Sequence, residues 1–113
     1  MEPRLATSVL VTSLMRRAES AGGFAAVLNR GDATVGAVLV ILNEKGRKAR
    51  VLERALQPGG AYSWQDIASQ STTNSEEFSS YLERRRRSDP DLWLIELDVA
   101  SAERFAAEMN SVD

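Results

Sequence analysis

Apolar positions along the chain first repeat at helical spacing. Leu10, Val11, Leu14, Met15 and Ala18 form one stripe within a segment running from Leu5 to about Ala21, while Arg16, Arg17 and Glu19 largely fall off it. This predicts an amphipathic helix, with Thr7 or Ser8 as its cap and Gly22-Gly23 as its stop. The period then changes. Phe24 to Leu28 reads as a short strand, and Asn29-Arg30-Gly31-Asp32 is rich in turn residues. Thr34 to Leu42 is apolar on both faces, with Val35, Ala37, Leu39 and Ile41 on one and Val38, Val40 and Leu42 on the other. That pattern suits a central buried strand.

The turn Asn43-Glu44-Lys45-Gly46 leads to a third strand, Arg47 to Leu56, which Gln57-Pro58-Gly59-Gly60 ends. Tyr62 to Gln65 reads as a fourth strand, followed by a polar loop over Ser69 to Ser75. Thr73-Asn74-Ser75-Glu76 matches a capping box, and Phe78, Tyr81 and Leu82 give the helix after it an apolar face. Ser88-Asp89-Pro90 stops that helix, since proline lacks the N–H and restricts the residue before it. Leu92 to Asp98 reads as a strand with Trp93, Ile95 and Leu97 on one side. Ala102, Phe105, Ala106 and Met109 line a last helix. The predicted fold is α+β: a single domain over residues 1–113, with a small antiparallel sheet and about three helices packed on it. The sheet is expected to be a meander of three to four strands plus a late strand.

Composition narrows the chemistry. The 113 residues include no Cys and no His, which excludes disulfides, thiolate nucleophiles, the Ser-His-Asp triad and His-based metal sites. No catalytic residue, metal site or cofactor is implied. The net charge of −2 gives no bulk field for a polyanion. It conceals an asymmetry, however. Residues 1–60 carry nine Lys/Arg and five Asp/Glu, whereas residues 61–113 carry five and eleven. The N-terminus lacks the pattern of a secretory signal, and the longest apolar run falls far short of the ~20 residues that span a bilayer. The expected place of work is therefore the cytoplasm, with no membrane partner.

Several residues together resemble a known family. They are Arg4-Leu5, Arg16-Arg17-Ala18-Glu19 leading to Gly23, Arg30-Gly31-Asp32 followed by Gly36-Ala37-Val38-Leu39, Trp64, and above all Asp89-Pro90-Asp91-Leu92-Trp93-Leu94-Ile95-Glu96. Their order and spacing resemble the small bacterial family designated domain of unknown function 1491, over nearly the whole chain. The resemblance implies a free-standing bacterial protein and carries over no activity and no catalytic residues. The sequence departs from the pattern at Ala33-Thr34-Val35, where a more turn-like loop is expected.

Three constellations carry candidate chemistry. Lys48, Arg50 and Arg54 alternate along the third strand and are expected to share one face. With helices on one side of the sheet only, that face is exposed and suits an acidic partner surface or a phosphate-bearing ligand. The alternative is a solvated face whose charges discourage edge pairing. Trp64, beside Tyr62 near the Pro-Gly-Gly turn, is either an interface anchor or core. The leading reading is a non-enzymatic interaction module that uses Lys48, Arg50, Arg54, Tyr62 and Trp64 to bind a protein partner or a second copy in a homodimer. A second reading is a small enzyme or anion-binding protein, with Glu96 or Asp98 as base or metal ligand and Arg50 or Arg54 as anion clamp. It requires both groups in one pocket. Nucleic-acid binding through Arg84-Arg85-Arg86-Arg87 ranks last, because consecutive helical residues fan around the axis and acidic residues flank the run.

Overall fold

The run Val38–Leu42 is buried on both sides, as its unbroken hydrophobicity predicts, and the other elements are arranged around it. The computed structural model describes residues 6–67 and 75–111. Among these the order is α1 (Thr7–Ser20), β1 (Phe24–Asn29), β2 (Val38–Glu44), β3 (Arg47–Leu56), β4 (Tyr62–Asp66), α2 (Ser75–Ser88), β5 (Trp93–Val99) and α3 (Ala102–Ser111). The capping threonine Thr73 and most of the polar loop before α2 lie outside the described residues.

The α+β class holds, but the sheet is mixed. Its strand order is β1-β5-β2-β3-β4. Only β2, β3 and β4 form the antiparallel meander. The late strand β5 lies between β1 and β2, antiparallel to the first and parallel to the second, in register from Val38↔Trp93 to Glu44↔Val99. Residues Asn29 to Asp32 therefore do not turn a hairpin, and the chain crosses the start of β5 to reach β2. The physical reason lies in burial. Leu92 to Ile95 are all buried, so β5 needs cover on both faces just as β2 does, and the two apolar strands take the middle together. The strand β1, with Phe24, Val27 and Leu28 exposed, is left at the edge.

Helices cover both faces of the sheet. On one, α1 and α3 pack Val11, Leu14, Ala18, Ala102, Phe105 and Met109 against Val40, Leu42, Leu52, Trp93, Ile95 and Leu97. On the other, Phe78 of α2, with half-buried Tyr81 and Leu82, packs against Leu39, Ile41, Val51, Leu92 and Leu94. Each fully buried Leu, Ile, Val or Phe stabilises the fold by about 1.5–3 kcal/mol.

The start of α1 differs from its expected cap. Ala6 occupies the cap position without a side-chain bond. The helix's first N–H groups are satisfied from afar: Thr7 and Ser8 donate to the carbonyls of Thr34 (3.2 Å) and Ala33 (2.9 Å). The buried Thr7 hydroxyl donates to the Thr34 carbonyl at 3.0 Å and lies 3.3 Å from that of Gly36. The β2–β3 hairpin closes on Lys45 and Gly46, both with positive φ, the backbone of a type I′ turn. At the start of α3, the Glu44 carboxylate accepts from the Ala102 N–H at 2.8 Å.

Candidate functional site

The expected basic face splits in two. The β2–β3 register shifts between Leu42 and Asn43, so that Leu42 faces Arg50 and Asn43 faces Lys48 with Ala49 bulged between. One extra residue reverses the side-chain alternation. Arg50 and Arg54 stay on the α1/α3 face with Leu52. Lys48 turns to the α2 face, where its Nζ lies 3.8 Å from the centre of the Phe78 ring. The expectation that helices cover one side only also fails, since α2 occupies the second side.

On the α1/α3 face each remaining cation has a neighbour. Arg50 makes an ion pair with Asp66 of β4 at 3.2 Å. The Arg54 guanidinium sits 4.0 Å from the centre of the Tyr62 ring. The cross-strand pairs Arg54↔Trp64 and Leu56↔Tyr62 place these four side chains together at the far end of β3 and β4. Trp64 is half-buried against the core, whereas Leu56 is 56% and Tyr62 38% exposed. Thus Trp64 belongs to the core margin. Arg54, Leu56 and Tyr62 form an amphipathic surface beside α3. Leu56 is a member that the alternation of charges on β3 did not reveal, although its place two residues after Arg54 puts it on the same face.

The carboxylate–arginine site does not form. Glu96 and Asp98 lie on the α2 face of β5, opposite to Arg50 and Arg54, and both have structural partners. Asn43 Nδ2 donates to Glu96 at 2.9 Å, and the Gly46 N–H donates to Asp98 at 2.9 Å. Among the described residues no group of three or more acidic side chains is placed to hold a metal ion.

The arginine run separates by direction, as the helical fan requires. Arg85 turns inward and grips both Glu53 carboxylate oxygens, at 3.0 and 2.7 Å, and the Tyr81 hydroxyl at 2.9 Å. Its hydrogen bonds to Glu53 hold the guanidinium above its usual pKa, against the opposing effect of burial. Arg84, Arg86 and Arg87 are exposed.

A denser constellation lies where the loop over residues 30–37 crosses the start of β5. The Trp93 indole donates to the Asp32 carbonyl at 2.7 Å, the Asp32 N–H donates to the Asp91 carbonyl at 3.0 Å, and Asn29 Nδ2 donates to the Leu92 carbonyl at 2.7 Å. The Asp32 carboxylate accepts from the N–H groups of Thr34 and Val35, each at 2.8 Å. Those bonds, the one from Val35 foremost, hold its pKa below the usual carboxylate value. A side chain at Gly31 or Gly36 would be driven into the Asp91 carbonyl oxygen, so close backbone approach requires glycine at both positions.

The profile of a protein family described as "Protein of unknown function (DUF1491)" matches residues 5–107. The chain belongs to this family. Among solved structures it is similar to a DUF1491 protein from Caulobacter crescentus CB15. In the crystal structure at 1.87 Å the identity is 35% and the TM-score 0.76, with 90% of this chain and 94% of that one covered. The NMR structure from the same organism gives 34% identity and a TM-score of 0.75, covering 93% and 94%. A protein from A. tumefaciens solved in solution is 27% identical with a TM-score of 0.70, covering 92% and 93%. No curated protein matches the chain. In this DUF1491 chain the Arg30-Gly31-Asp32, Gly36 and Asp89–Trp93 residues behind the resemblance converge on the loop crossing. Their described contacts are those of a fold-holding junction. Beside this junction the Arg30 guanidinium lies 5.4 Å from the centre of the Trp93 ring.

Proposed function

We propose that the protein is a non-enzymatic interaction module of the cytoplasm, and that it binds a protein partner on the surface formed by Arg54, Leu56 and Tyr62 with Trp64 behind them. The observation that carries this reading is an exposed leucine and a half-exposed tyrosine next to a guanidinium, on a rigid pair of strands. Aromatic and arginine side chains fixed by a scaffold are the usual anchors of protein interfaces, since they add large contact area at small cost in conformational entropy. The partner best suited is a protein segment with an apolar side chain to cover Leu56 and Tyr62 and a carboxylate near Arg54. Among the described residues no helix is long and apolar enough to cross a membrane, which agrees with a module that works in the aqueous phase.

The test is quantitative affinity capture from native bacterial cells, comparing the unaltered protein with Leu56→Asp and Tyr62→Ala. A stoichiometric protein retained by the first and reduced at least about tenfold by each variant supports the reading. Equal recovery with all three places the interaction elsewhere.

A further inference from the structure

The second face of the sheet is only half covered. The helix α2 packs Phe78, Tyr81 and Leu82 over β2 and β3, with Lys48 near one end and the Arg85–Glu53 ion pair near the other. Past Leu94, the strands β5 and β1 contribute no buried residue to that layer among the described residues. The cross-strand register sets Phe24 against Asp98 and Ala26 against Glu96, so these four side chains share the open half of the face. Phe24 is 60% exposed, while Ala26, Glu96 and Asp98 are half-buried. The two carboxylates meet no cation of their own chain. Among the described residues neither enters an ion pair. Asn43 holds Oε2 of Glu96 and the Gly46 N–H holds Oδ2 of Asp98, which leaves Oε1 and Oδ1 without a hydrogen bond among those residues. The cation in the same cross-strand row is Lys48, across Asn43 from Asp98, and its Nζ is drawn to the Phe78 ring instead, 3.8 Å from the centre.

We infer that this open half-face is a docking site for an arginine side chain of a partner protein, held between Glu96 and Asp98 and stacked on Phe24. Charge complementarity calls for a cation between two like charges whose Cα atoms stand roughly 6–7 Å apart along one strand. The exposed ring selects which cation. Phe24 lies directly opposite Asp98 and diagonal to Glu96, a placement from which an aromatic side chain reaches both. A guanidinium lies flat on such a ring while its donors, spread around one plane, serve two carboxylates at once. An ammonium has three donors and no plane. The bonds from Asn43 and Gly46 already fix one oxygen of each carboxylate, so little side-chain freedom is lost when the arginine arrives. The site lies on the opposite face of the sheet from Arg54, Leu56 and Tyr62, and it stands whether or not that surface binds a partner.

The experiment is an NMR titration of the isotope-labelled full chain with a Gly-Arg-Gly peptide capped at both ends. The amide signals of Phe24, Ala26, Glu96 and Asp98 are expected to shift and saturate with a Kd of about 1 mM. The capped Gly-Lys-Gly peptide is expected to bind at least about fivefold more weakly. E96Q/D98N keeps acceptor oxygens for Asn43 and Gly46, so its spectrum should remain that of the folded protein while binding falls at least about tenfold. Phe24→Ala, at an exposed position, is expected to reduce the preference for arginine over lysine. Free arginine brings a carboxylate of its own towards the two acidic side chains and is expected to bind more weakly than the peptide. No saturable shift at these residues, equal binding of the two peptides, undiminished binding by E96Q/D98N, or a preference unchanged by Phe24→Ala overturns the proposal. Tighter binding of free arginine than of the peptide overturns the assignment to a protein partner.

Discussion

Asn110 holds Trp64 by both of its outward backbone groups, its Oδ1 accepting from the N–H at 2.7 Å and its Nδ2 donating to the carbonyl at 3.1 Å. A carboxamide is the one neutral side-chain group that imitates a peptide unit, with an acceptor and donors side by side. The last helix thereby does the work of a sixth strand at one point on the β4 edge, and it also fixes the strand that carries Tyr62. Asn110→Ala is expected to lower stability by about 1 kcal/mol and to speed hydrogen exchange at the Trp64 amide. Asn110→Asp keeps the acceptor and removes the donors, so it should leave the Trp64 amide protected while freeing the carbonyl. Exchange measured by NMR at Trp64 distinguishes the two.

The run of four arginines makes a sharper prediction. Arg85→Ala removes three hydrogen bonds and leaves Glu53 and Tyr81 without the partner between them, so a loss of about 1–3 kcal/mol is expected. Arg84→Ala, Arg86→Ala and Arg87→Ala, all on the exposed side of α2, should each stay within about 0.5 kcal/mol of the unaltered protein. Urea denaturation of the four variants is the check, and equal effects would contradict the inward placement of Arg85.

Close backbone approach at the loop crossing is equally testable. Gly31→Ala and Gly36→Ala force a methyl group into the Asp91 carbonyl, with no flexible side chain available to yield. Each is expected to cost more than about 3 kcal/mol or to prevent folding. Gly59→Ala, which meets open space in the β3–β4 turn, should fold normally. Soluble yield and melting temperature separate the outcomes.

Asp32 sets a pH dependence of definite sign. Its folded pKa lies below the usual 3.8 because the Val35 and Thr34 N–H groups donate to the carboxylate. Its contribution to stability is therefore fully present above that value and is lost as the pH falls through the lowered folded one. Asp32→Asn keeps an acceptor oxygen but cannot titrate, so its stability should fall less steeply between neutral pH and acid than that of the unaltered protein. Thermal melts across that range read the difference.

Much of the fold was legible in hydrophobic period alone. The stripe Leu10, Val11, Leu14, Met15, Ala18 became α1, and of the doubly apolar run Thr34–Leu42 the part from Val38 became the middle strand, because both signals are local; Val35, 79% exposed, lies in the loop before it. Strand order was not local. The run Leu92-Trp93-Leu94-Ile95 is as continuous as that of β2, and giving it the same weight would have put both in the interior of the sheet. Read for Trp93, Ile95 and Leu97 alone, it suggested a strand with one buried face. The candidate site was partly legible in the same sense. Arg54, Tyr62 and Trp64 were visible as residue types, but their meeting depends on the β3–β4 register. The place of Lys48 depends on a bulge at Ala49, and no residue type in Arg47-Lys48-Ala49-Arg50 marks a bulge. Thr7 offered a local capping signal, yet the carbonyls of Ala33 and Thr34 reach the helix start first and leave its hydroxyl to tie the loop.

An interaction module of this kind must contact its partner protein through Arg54, Leu56 and Tyr62. The most direct measurement is photocrosslinking in living cells with benzoylphenylalanine substituted at position 62 and, as a control on the opposite face, at position 83. A discrete crosslinked species from position 62, absent from position 83 and lost when Leu56→Asp is added, is the predicted result. The same crosslinks from both positions, or none from position 62, would contradict it.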